Sequence, residues 1–243
     1  MSAATPAGDA ARRHFFLSLL AVVLPLILLG YRGVIDSGDG MQRYQGAVAL
    51  LRGAGYTIIA DDGAPRPLKY GPAHSMLALP LLITARLLAP PLLLTTAFPA
   101  DWHEALYDNI TQGGFMLLMP LVTAATALLL AATLQLLGAP PPRAWWLTLL
   151  WLLATPALVY ANLAFDEPLQ ALLLLAGSHA ALRGRGATSA LWFGLALFTR
   201  LSAVAFLPLG FILLDRAWLT LTPARRRFIA ASAGMLFLQL VYL

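Results

Sequence analysis

Ile35-Asp36-Ser37-Gly38-Asp39-Gly40 follows an apolar run, 15–30, and opens a segment in which Met41, Tyr44, Val48 and Leu51 recur at helical spacing. Two carboxylates stand here just beyond a predicted membrane boundary. The glycines beside them leave the backbone free to bend. Everything downstream either anchors this loop in a bilayer or carries further polar groups toward it.

The bilayer follows from composition. Of 243 residues, 60% are hydrophobic and only 11% are charged, against about 25% charged in a soluble domain. Long uncharged runs with so little charge predict an all-α, polytopic transmembrane helical bundle. The net charge of +5 does not point to nucleic acid, because the arginines sit in short clusters between apolar runs, as in membrane proteins that fix their orientation. The absence of cysteine excludes disulfides, thiol nucleophiles and cysteine-ligated metal centres.

Arg12-Arg13-His14 and the apolar run after it resemble the start of a signal peptide. The exit Leu28-Leu29-Gly30-Tyr31-Arg32-Gly33 lacks a small-x-small cleavage pattern, so a retained first helix is expected, with residues 1–13 a flexible cytoplasmic tail. The segment 41–52 reads as an amphipathic helix lying on the membrane surface, apolar side down, ended by Gly53 and Gly55. Asp61-Asp62-Gly63-Ala64-Pro65-Arg66-Pro67 reads as a turn-rich loop. The run 75–97 is apolar but interrupted by Pro80, Arg86, Pro90 and Pro91. Runs 113–137 and 145–164 read as spans, the latter with Trp145, Trp146 and Tyr160 as interfacial anchors, and 168–182 as a shorter one. The run 228–243 stays apolar to the last residue, which suggests the amino-terminal part of a longer module.

Charge sets the expected topology. If Arg12-Arg13, Arg143, Arg183 with Arg185, and Arg225-Arg226-Arg227 all lie in the cytoplasm, an even number of crossings joins each neighbouring pair. The turn at Asp166-Glu167 is then outside. The segment 187–214 must break at Phe198-Thr199-Arg200 and aim Arg200 outward, and 75–97 must not cross, or must dip in and return. Asp36, Asp39, Asp166, Glu167 and Arg200 then converge on one face.

Ordinary explanations compete at each position. Asp39 suits a helix cap, and acids before Pro168 are normal at a helix start. Arg200 interrupts about 28 uncharged residues, where an arginine costs roughly 2.5–3.5 kcal/mol on insertion scales. It therefore needs Asp166, Glu167 or a lipid phosphate. Arg43, Lys69, Tyr70 and His74 are further donors for a substrate, with snorkelling the plain reading of Lys69. His179 reads as structural, and Asn109-Ile110-Thr111 matches a glycosylation pattern. No Gly-rich phosphate loop, catalytic Ser/His/Asp arrangement or His-x-x-x-His pair is present, so no nucleotide or redox cofactor is expected. A divalent metal is left open.

The pieces Asp36-Ser37-Gly38-Asp39-Gly40, Lys69-Tyr70-Gly71-Pro72-Ala73-His74-Ser75, Phe165-Asp166-Glu167-Pro168-Leu169 and Gly194-Leu195-Ala196-Leu197-Phe198-Thr199-Arg200 occur in this order. In that order the chain resembles the amino-terminal half of GT-C glycosyltransferases, which use polyprenyl-phosphate-linked sugars and include protein mannosyltransferases and lipid A aminoarabinose transferases. The resemblance implies that a carboxylate of the first outer loop, Asp39 or else Asp36, is catalytic. It implies that Asp166 and Glu167 assist the acceptor or a metal, and that Arg200 lies near the lipid phosphate. The implied partners are a lipid-linked sugar donor, membrane lipids and a lipid, glycan or protein acceptor. The implied location is a bacterial inner membrane with the site on its outer face. A transporter or non-catalytic membrane subunit is the competing class, although no internal repeat is visible.

Overall fold

The structure, a computed structural model, describes residues 6–35, 37–59, 64–68, 71–94, 99, 102–214 and 222–242. It is almost entirely helical. Helix α1 (Pro6–Leu28) leads to α2 (Gly38–Leu51), then strands β1 (Thr57–Ile59) and β2 (Pro65–Pro67). Next come α3 (Ala73–Leu94), α4 (His103–Met116), α5 (Leu118–Leu136), α6 (Pro141–Ala154), the single turn α7 (Ala157–Tyr160) and α8 (Glu167–Leu182). The chain then forms α9 (Gly186–Thr199), a 3-10 segment (Leu201–Phe206), α10 (Leu207–Leu213) and α11 (Pro223–Tyr242). By length and composition, three helical stretches can cross a membrane: Ala10–Leu28, Ala73–Leu94 and His103–Leu136.

Several boundaries differ from expectation. Residues 6–13 extend α1 and do not form a tail. Part of the expected loop at 61–67 is strand, with Thr57 opposite Pro67 in an antiparallel pair. Pro80, Pro90 and Pro91 sit inside one continuous helix. Apolar helices packed on neighbours accommodate such prolines, because freed backbone groups find other donors. Conversely 145–164 is not one span. Helix α6 ends at Ala154, and Thr155 is extended before Pro156, as a residue preceding proline prefers.

Glycines set the other stops. Gly53, Gly138 and Gly184 have φ of 71°, 91° and 71°. In each case the following amide reaches back five residues: Ala54 to Ala49, Ala139 to Leu134 and Arg185 to Ala180. That is the left-handed C-terminal motif in which glycine avoids a Cβ clash.

Contacts fix the helix directions. Asn162 donates to the Ile27 carbonyl, so the end of α1 meets the turn before α8. Thr133, late in α5, meets His179, late in α8, at 2.9 Å. Helices α5 and α8 therefore leave that end together, and α6 returns. Gly177 of α8 packs on Phe193 of α9, and Gly186 touches Ala224 at the start of α11. Helix α9 therefore comes back, and α11 runs beside it in the same direction. The 3-10 segment and α10 turn away again, placing Gly210 against Phe193 and Phe228. Arg200, between α9 and the 3-10 segment, has extended φ and ψ of −156° and 132°. The break expected at Phe198-Thr199-Arg200 is present.

Helices α3 and α4 form a hairpin. His74 near the start of α3 stacks on Phe115 near the end of α4, with centroids 5.2 Å apart and planes at 8°. Helix α4 returns along α3, with Gly114 against Leu81 and Ala85. Packing rests on small residues: Ala124, Ala127 and Ala131 share one face of α5, against Leu19, Val23 and Ile27 of α1. Close backbone approach of this kind provides dispersion contacts where surrounding apolar chains would cancel a hydrophobic driving force.

Within the hairpin, a Cβ on Gly114 would overlap the side chain of Ala85. Gly114→Ala is expected to lower the melting temperature of detergent-solubilised protein by an overpacking cost of about 1–3 kcal/mol. Gly234→Ala, with nothing within 4 Å, should leave it unchanged or higher, since alanine favours the helix. Equal melting temperatures for both variants would contradict this hairpin.

Candidate functional site

The site forms where α2 lies over the turn before α8. Ser37 caps α2: its backbone is extended and its Oγ accepts from the Gly40 amide at 3.0 Å. Capping thus falls to Ser37, not to Asp39, which is half-buried in the first turn where a carboxylate complements the helix dipole. Gly40 presses on Ala164, leaving no space for a side chain. Asp39 and Arg43, four apart, share a face, so Asp39 stands one turn, about 5.4 Å, along α2 from Arg43.

Arg43 turns inward, and so do Gly40, Gly46 and Ala47. Tyr44, Met41, Val48 and Leu51 of the expected apolar face pack more loosely on the same core. Arg43 Nη2 donates to Asp166 Oδ2 at 2.7 Å and Nη1 to the Ala164 carbonyl at 3.0 Å. Across the carboxylate, His74 Nδ1 stands 3.3 Å from Oδ1. Ser75 Oγ donates to the Arg43 carbonyl at 2.8 Å and lies 3.1 Å from the Tyr56 hydroxyl. Arg43, His74 and Asp166 are all fully buried, at 1% exposure or less.

Arg43, read from the sequence as a donor for a substrate, pairs with Asp166. Asp166 is the N-cap residue of α8 yet makes no capping bond, because its carboxylate faces Arg43 and His74. Burial pushes the Asp166 carboxyl up, but the His74 hydrogen bond and the charge and hydrogen bond of Arg43 outweigh it and hold it below the usual range. The half-buried Tyr31 hydroxyl, pushed up to about 12 by burial, donates to the Gly113 carbonyl and fixes the first loop on α4.

Glu167 makes a second, outer pair. Arg200 Nη1 donates to its Oε1 at 2.5 Å, and the two side chains are 46% and 36% exposed. Of the partners open to Arg200, Glu167 is the one it meets. An apolar cleft of about 220 Å3 between α5, α6 and α8 is lined by Glu167, Thr126, Trp151, Tyr160 and Ala171, among others.

Asp39, Arg43, His74, Asp166, Glu167 and Arg200 thus gather at one end of the bundle. Asp36, Lys69 and Tyr70 lie outside the described residues. Among the described residues no three metal-binding side chains gather closely enough to hold an ion. Phe115, Tyr44 and Ser75 also build the site, and their residue types give no signal in sequence. Thr111 is buried inside α4 and bonds Tyr44 at 2.9 Å. His179, on Thr133, is structural as expected. No protein-family model, curated protein or solved structure matches the chain.

The two pairs predict opposite responses. Asp166→Ala strands a buried guanidinium and should cost about 3–5 kcal/mol. Arg200→Ala breaks an exposed pair and should cost no more than about 1 kcal/mol, both read by denaturation in detergent. A depressed folded-state pKa stabilises above the unfolded carboxyl value, about 3.9, and the contribution disappears as pH falls through the folded value. Unfolding measured between neutral pH and pH 2 should therefore show an acid-side loss of stability in wild type that is smaller in Asp166→Asn. Equal acid slopes would rule out this source of the loss.

Proposed function

We propose that the protein is a polytopic membrane glycosyltransferase that transfers a sugar from a polyprenyl-phosphate donor to an acceptor hydroxyl or amine, resembling the GT-C enzymes. The observation that carries this reading is the exposed Glu167–Arg200 pair beside an apolar cleft that Glu167 helps to line, at the same end of the bundle as Asp39. A prenyl chain fits an apolar cleft, and its phosphate suits a guanidinium paired with a lining residue. In the proposed topology the amino terminus is cytoplasmic, as the basic clusters favour, and this end of the bundle faces outward.

In the proposed reaction, Asp39 accepts the proton of the acceptor as its oxygen or nitrogen attacks the anomeric carbon. The bond from that carbon to the phosphate oxygen breaks, and the electron pair leaves on the lipid phosphate. Arg200 steadies the charge that develops there. Glu167 holds Arg200 in place before the donor arrives and gives it up to the phosphate. Asp166 and Arg43 position α2 and take no proton. A phosphate is already a good leaving group, so no second acid is required, unlike in glycosidases.

Transfer of radiolabelled sugar from lipid-linked donors, in membranes containing the full-length protein, tests this. Asp39→Asn is expected to lose about 10²–10⁴-fold in transfer, and Arg200→Ala to lose transfer while remaining folded. Unchanged transfer in Asp39→Asn would remove the base assignment. A broken helix at Arg200 also suits a transporter, and substrate uptake without transfer by wild type would favour that reading.

A further inference from the structure

We infer that a second cavity, between α2, β1 and the α3–α4 hairpin, binds the phosphate headgroup of an anionic membrane lipid whose acyl chain lies along α3. The cavity has a volume of about 380 Å3 and is lined by Tyr44, Val48, Arg52, Thr57, Arg86 and Asp108, among others. It lies toward the carboxyl-terminal half of α2, away from Asp39, Glu167 and Arg200.

Arg86 carries the case. It is the one charged residue of α3, a helix apolar and long enough to cross a membrane. Such a cation is costly in an apolar setting and needs a counter-charge. Among the described residues no carboxylate forms an ion pair with Arg86 or Arg52, and the buried Arg86 Nε has no hydrogen-bond partner. Among the described lining residues Asp108 is the one acid, and it offsets only one of the two guanidinium charges. Those residues together carry a net positive charge and several N–H donors, a set that matches phosphate oxygens.

The surroundings select a lipid over a soluble anion. Ile83, Arg86 and Leu87 share a face of α3 by their spacing, and Ile83 and Leu87 are exposed, at 41% and 71%. An amphiphile places its charged head at Arg86 and its chain along these two apolar side chains, whereas a free anion gains nothing from them. Basic pockets between apolar helices recognise lipid headgroups by this combination.

Binding is measured without turnover, so its outcome is separate from that of the transfer assay. The full-length protein, delipidated in detergent, is titrated with dioleoylphosphatidylglycerol, with dioleoylphosphatidylcholine and with inorganic phosphate, and bound lipid is counted by native mass spectrometry. Wild type is expected to prefer phosphatidylglycerol, and millimolar inorganic phosphate should not displace it. Arg86→Leu, which keeps the apolar stem, and Arg52→Ala, at an exposed helix end, should each weaken binding about tenfold. Asp108→Asn should strengthen it, a change of sign that general destabilisation does not produce. Equal affinity for the two lipids, displacement by phosphate, or Asp108→Asn binding no better than wild type would overturn the proposal.

Discussion

The arrangement depends on one buried ion pair. Arg43 and Asp166 are 123 positions apart and meet where water does not reach. Removing two charges from water is unfavourable unless geometry and further hydrogen bonds compensate. Here the compensation comes from different parts of the chain: the Ala164 carbonyl takes one N–H of Arg43, and His74 stands against the far oxygen of Asp166. Satisfying one charge thus brings together α2, the turn before α8, the start of α3 and, through Phe115, the end of α4. Apolar contacts alone slide at little cost, but a guanidinium on a carboxylate has one register.

That pair also marks where sequence stops being informative. The helical character, the break at Arg200 and the stop at Gly53 follow from composition, from charge parity along the chain and from local backbone chemistry. Parity also led to the expectation that Asp36, Asp39, Asp166, Glu167 and Arg200 share a face; Asp39, Asp166, Glu167 and Arg200 lie at one end of the bundle, and Asp36 is outside the described residues. What sequence could not assign was partnership. Asp166 and Glu167 are adjacent and chemically alike, yet one faces the core and the other the surface, because successive residues at a helix start point in different directions. Arg43, on an amphipathic segment, looked like part of a polar face, although Gly40, Gly46 and Ala47 around it are small enough to let that face pack inward. The hairpin strand at 57–67 and the break at Pro156 were missed for different reasons. The strands are only 3 residues each, too short for an alternating pattern. The break had a readable signal in Thr155-Pro156, outweighed by the apolar run on both sides.

Exposure separates the two ion pairs by role. A buried pair cannot exchange partners without an uncompensated charge, so Arg43–Asp166 suits a fixed support. The Glu167–Arg200 pair is partly in solvent, where partner exchange costs little. A group that must take up and release an anionic ligand belongs in the second setting. Adjacent residues in one turn thus connect a rigid framework to an exchangeable contact, and the framework fixes the position of the contact.

The segment 71–75 joins the two. Gly71 packs so tightly on the Phe198 and Thr199 carbonyls that no side chain fits there, and His74, three residues on, reaches Asp166. The end of α9, which carries Arg200, is therefore held by the same short piece of chain that closes the buried pair. Thr199 Oγ1 and the Arg200 amide both return to the Ala196 carbonyl, so α9 ends in a defined bend and does not fray. A displacement of 71–75 would move Arg200 and loosen Asp166 together. The outer cation and the carboxylate on α2 are consequently one mechanical unit, and their spacing is set by the buried pair and by the glycine contact.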